Sequence, residues 1–175
     1  MKLFLSIVLN TFVVIAIVYV LILIIDISFV CSFSSIMKHH SHDLTVILTN
    51  KRDNLVRLVS VLNTNNIKLD KKKVEALQNF DVKRIEKQDG EEAKDGRNEL
   101  TSISDYLLAI CSQSEIKQSF DEYQQVLAYI SELENVYRHH LMMYNADVLG
   151  YNFWISFFPT RFIYKILRLK PKENI

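Results

Sequence analysis

The chain has 175 residues, a formal net charge of +1 and a hydrophobic content of 49%. A balance this close to neutral excludes a global electrostatic pull toward nucleic acid. Three glycines and two prolines are too few for an all-β sandwich or barrel, which needs turn residues about every 8–12 positions. The expected class is all-α.

The first element is Leu3–Ile25, LFLSIVLNTFVVIAIVYVLILII, 23 residues without a charge, bounded by Lys2 and Asp26. A helix of about 20 apolar residues spans a bilayer, whereas the apolar core of a signal peptide is about 7–15 residues and precedes a small-residue cleavage site. The run is too long for that core, and DISFVCSFSS after it gives only a weak site. It is read as an uncleaved membrane anchor, residues 1–27, followed by a juxtamembrane linker, residues 28–34. Lys2 and Lys38 balance one another across the run, so nearby charges leave its orientation open.

A helical domain is expected over residues 35–158. Leu44, Leu48, Leu55, Leu58 and Leu62 form one stripe, with Ile47 and Val59 beside it, and Asn63–Asn66 (NTNN) ends the helix. A second helix is expected from Ile67 to Lys87, with Val74, Leu77, Phe80 and Ile85 apolar. Asp89–Gly96 (DGEEAKDG) reads as a loop. Leu100, Ile103, Tyr106, Leu107 and Ile110 mark a third helix, closed by Ser112–Glu115. The fourth and longest is expected from about Ile116 to Phe158. Its seam has two heptad rows, one of Leu127, Leu141, Val148 and Ile155, the other of Tyr123, Ile130, Tyr137, Tyr144, Tyr151 and Phe158. The architecture expected is an antiparallel, up-and-down bundle of about four helices.

Two polar residues interrupt these stripes. Glu134 falls between Leu127 and Leu141, and Lys51 interrupts the first helix. A buried carboxylate needs a partner or a raised pKa, so Glu134 is expected to pair with Lys51 or Arg52 across the core, or with Arg138 one turn on. Asn is a poor mid-helix residue, so Asn145 and Asn152 are expected to hydrogen-bond a neighbouring helix.

Chemistry-bearing patterns are sparse. His39 and His42 lie one turn apart near Asp43 and could start a zinc site if further ligands arrived; a solvated helix start is the plainer reading. His139 and His140 read as polar helix surface. There is no Gly-rich phosphate loop, Ser-His-Asp set, HExxH or CxxC. Cys31 and Cys111 match neither a disulfide framework nor a metal motif. No catalytic residues, cofactor or metal are expected, and no nucleic-acid partner.

The spacing Glu134, Tyr144-Asn145, Tyr151-Asn152, Phe158-Pro159 resembles the LemA family, whose last long helix carries a Glu, two Tyr-Asn pairs seven residues apart and Phe-Pro. Leu48, Asp53, Leu55, Leu58 and Val59 resemble that family's first soluble helix, and Lys170-Pro171-Lys172 its tail. The family's Arg three residues before the first Tyr-Asn is Leu141 here, and its helix Pro is Val56. The resemblance implies a helical bundle on a membrane anchor, with no defined molecular activity.

Residues 159–175 form a basic amphipathic tail with five Lys/Arg against Glu173. Trp154, Phe157, Phe162, Lys165 and Arg168 combine aromatic and basic character, which suits a membrane interface. Anionic cytoplasmic lipid would attract such a tail by about 1 kcal/mol per basic residue. The expected arrangement is a single-pass plasma-membrane protein with a short N-terminus outside and a cytoplasmic bundle. It would contact lipid through residues 3–25 and the tail, and a membrane or cytoplasmic protein partner. The expected role is a non-catalytic scaffold or interaction module. The alternative is a metal-dependent sensor or enzyme using Glu134 and the juxtamembrane histidines.

Overall fold

The computed structural model describes residues 2–86, 91–113, 121–157 and 160–175. Among these the chain is all-helical. The elements are α1 (Lys2–Thr64), α2 (Lys71–Gln78), α3 (Lys83–Glu86), α4 (Glu91–Gln113), α5 (Asp121–Ser156) and α6 (Arg161–Ile166). Phe158 and Pro159, and Ser114 and Glu115 of the expected turn, lie outside the described residues.

Three expectations change. Residues 28–34, expected as a linker, continue α1 as helix, because nothing in SFVCSFS breaks a helix and the stretch holds neither Gly nor Pro. The expected second helix is two short ones. Asn79 ends α2, and the Asp81 side chain accepts the backbone N–H of Lys83 at 3.0 Å to start α3. Glu91–Gly96 is the first part of α4 rather than a loop. Gly96 is there for closeness, not for a turn: a Cβ would stand 3.0 Å from Cγ2 of Ile85 in α3. The NTNN break falls where expected. Asn66 takes φ 58°, and Ile67 N–H reaches back to the Leu62 carbonyl at 3.1 Å. This is a left-handed helix stop that Asn tolerates.

Two compact units result. One comprises Met1–Lys38 with Ala146–Asn174, the other His39–Asn145 with Ile175. In the second unit the leucine stripe of α1 meets Leu77 of α2, Leu100 and Leu107 of α4, and Val126 and Ile130 of α5 in one core. In the first unit the buried set includes Val30, Val148, Tyr151, Ile155 and Tyr164.

Candidate functional site

In the second unit, α1 and α5 bring together the polar residues of their seams. Lys51 Nζ donates to Glu134 Oε2 at 2.7 Å, and Arg138 Nε reaches Glu134 Oε1 at 3.4 Å. Arg52 is engaged elsewhere, on Asp53 and on the Gln78 carbonyl. Burial works to raise the Glu134 pKa, but the Lys51 ammonium and then the Arg138 guanidinium outweigh it and hold the carboxyl below its ordinary value. Lys51 is the buried partner, 5% exposed. A carboxylate held ionised by two cations is a structural tie.

Beside the expected histidine pair, on the more buried side of α1, lies a cluster that the sequence pattern does not assemble. His40, Asp43 and His140 offer three ligand atoms that all lie within 4.8 Å of one another. His140 Nδ1 stands 3.5 Å and His40 Nδ1 3.9 Å from Asp43 Oδ2. His39 Nε2, on an exposed side chain, is 3.6 Å from the same oxygen. His42 and His139 are exposed. The missed signal was the stripe itself: carried one turn back from Leu44 it reaches His40, which is buried.

The double Tyr-Asn motif divides its work. Tyr144 and Tyr151 are buried, as their row requires. The asparagines hold not a helix but the non-helical backbone after α6. In the first unit Asn152 Nδ2 donates to the Lys172 carbonyl and Lys172 N–H donates to Asn152 Oδ1, both at 2.8 Å. In the second unit Asn145 makes the same pair with Ile175, at 3.1 and 2.9 Å. A primary amide can donate and accept at once, so one side chain satisfies both backbone groups of one residue. Asn152→Ala is expected to cost about 1 kcal/mol, since the freed backbone regains water. Trypsin cleavage after Lys172 should accelerate roughly fivefold at that cost; an unchanged cleavage rate would show that the amide does not hold the tail.

Still within the first unit, Trp154 stacks on Phe29, with ring centroids 4.5 Å apart and planes 3° from parallel. Phe153 and Phe157 pack around the indole. Trp154 is therefore half-spent on the protein, while Phe162 and Ile166 on α6 are 64% and 79% exposed. Lys165 and Arg168 are exposed beside them. Arg168 takes φ 56° where Leu169 N–H closes on the Tyr164 carbonyl at 3.1 Å, and this ends α6. Asp26 is buried at 1% exposure, and neither its carboxylate nor the Tyr164 hydroxyl meets full hydrogen-bond geometry. Burial first, and the nearby Asp26 charge second, push the Tyr164 hydroxyl up to about 12.

Comparison with protein-family models, curated proteins and solved structures returns no match. The functional reading therefore rests on the residues themselves.

Proposed function

We propose that this chain is a single-pass membrane protein carrying a LemA-type up-and-down helical bundle, and that it works as a non-catalytic scaffold or partner-binding module at the membrane. One observation carries the reading. Among the described side chains of α1, Phe4, Ile7, Val8, Leu9, Phe12, Val13, Val14, Ile15, Ile17, Val18, Tyr19, Val20, Leu21, Ile22, Ile24 and Ile25 are all exposed, and the stretch is long and apolar enough to cross a membrane. Leaving so many Ile, Val, Leu and Phe side chains in water is costly, at about 25 cal/mol per Å², and a bilayer is the solvent that length and composition fit. The exposed Phe162 and Ile166 beside Lys165 and Arg168 support a second, interfacial contact. The basic tail favours the side with anionic lipid, which makes the bundle cytoplasmic and the N-terminus external.

The test is alkaline washing of membranes that contain the full chain, with the N-terminal mass of the retained protein. The expected result is retention with residues 2–25 intact. Val14→Lys together with Ile15→Lys should release the chain, since each costs about 3 kcal/mol at the centre of a span. Wild-type release, or a mature form lacking the apolar run, would overturn the anchor. Pull-down from gently solubilised membranes, intact chain against a chain ending at Pro159, then separates partner recognition by the tail from recognition by the bundle.

A further inference from the structure

We propose that His40 and Asp43 of α1 with His140 of α5 form a binding site for a divalent cation of the zinc class, which ties the two helices together inside the second unit. Nothing in the scaffold reading requires it. The donor set is two imidazoles and one carboxylate, the chemistry that borderline-soft Zn²⁺ prefers and that Mg²⁺ or Ca²⁺ does not.

The geometry is close to coordination already. Bonds of about 2.0–2.1 Å in a tetrahedron set neighbouring ligand atoms roughly 3.3 Å apart. The two His Nδ1–Asp43 Oδ2 separations are 3.5 and 3.9 Å. All three ligand atoms lie within 4.8 Å of one another, so a cation at the centre needs them to draw together, by the least between His140 and Asp43. His140 Nδ1 is a buried nitrogen without a hydrogen bond, and it stands 3.5 Å from Asp43 Oδ2. His40 is fixed by burial, and Asp43 follows it by three residues on the same helical face. The spacing of the ligands therefore comes from the backbone rather than from mobile loops, as a precise site requires.

The fourth position has a resident candidate. His39 Nε2 lies 3.6 Å from Asp43 Oδ2 on a 74% exposed side chain. It is free to swing in and close the site, or to stay out and leave the position to water. His39 belonged to the pair first read from the sequence. His42, its companion, is exposed and takes no part, so it serves as the control.

The competing account is that the three imidazoles simply hold Asp43 by charge, with no cation. Titration of the full chain in detergent with Zn²⁺, and with Co²⁺ as a spectroscopic probe, decides between them. The expected result is one saturable ion per chain, with visible Co²⁺ absorption of a four-coordinate nitrogen and oxygen site. His140→Ala and the isosteric Asp43→Asn should weaken binding by more than the 10–100-fold typical of outer-shell losses. His39→Ala should weaken it less, and His42→Ala not at all. Zn²⁺ should raise the thermal midpoint of the wild type and leave that of His140→Ala unchanged, a comparison made only for variants with wild-type helical circular dichroism. Absence of saturable binding, or binding that survives both Asp43→Asn and His140→Ala, would overturn the site.

Discussion

Glu134→Ala is expected to destabilise the second unit by about 3 kcal/mol. Removing one partner of a buried pair costs about 3–5 kcal/mol, because the other charge is left desolvated. The lower end applies here, since the Glu134 side chain is 34% exposed while that of Lys51 is only 6% exposed. The penalty is Lys51's, not the worth of the bond. Lys51→Met combined with Glu134→Leu should therefore return to within about 1 kcal/mol of the wild type, because similar-sized apolar side chains often replace a buried pair at no loss. Arg138 would lose its partner in that double variant, but it is 72% exposed, and surface pairs are worth about 0–1 kcal/mol. Thermal unfolding of the full chain in detergent, followed by circular dichroism, measures both. A double variant no more stable than Glu134→Ala would show that the residues do not act as a pair.

The same pair sets an acid limit. The folded-state pKa of Glu134 lies below its ordinary value of 4.5. Its contribution is therefore fully present above about that pH, and is lost as pH falls through the depressed folded value. Glu134→Gln should flatten the acid side of the stability profile and leave the neutral side with a constant offset. An unchanged acid slope would place the acid sensitivity on other carboxylates.

How much of this could be read from the chain depends on the reach of each signal. Periodicity located the seams well, because burial on a helix repeats every three or four residues and Leu44 through Leu62 obey it. The interruption of two seams by opposite charges offers Lys51, Arg52 or Arg138 as the partner of Glu134 without choosing; the structure has Lys51 at 2.7 Å and Arg138 at 3.4 Å. What was missed lies where a local pattern has two physical uses. Gly96 in DGEEAKDG has turn composition, yet its lack of a side chain serves the approach of Ile85. Asn145 and Asn152 signal an unmet amide, but nothing local says that its partner is non-helical backbone at Ile175 and Lys172. His40 and His140 are separated by 100 positions, and only the packing of α1 on α5 within the second unit makes them neighbours.

Gly150→Val is the other substitution with a large expected effect, about 2–3 kcal/mol in the first unit. Gly150 sits in α5, and a Cβ placed there would lie 2.6 Å from Cε1, 2.7 Å from Cζ and 3.1 Å from Cδ1 of Phe33 in α1. Carbon atoms in good contact are about 3.5–4.0 Å apart, so the ring or the helix must shift. Forcing extra methyl groups into such a contact costs about 1–3 kcal/mol, occasionally more. Helix propensity opposes this weakly, since Val is better than Gly by only a few tenths of a kcal/mol. Relief should come from the partner: Phe33→Ala removes the atoms that clash, so the Gly150→Val step should cost far less, or turn favourable, in that background. A double-mutant cycle isolates the coupling, expected at about 1–3 kcal/mol and of relieving sign. If Gly150→Val costs the same with and without the Phe33 ring, the glycine is not there to admit it.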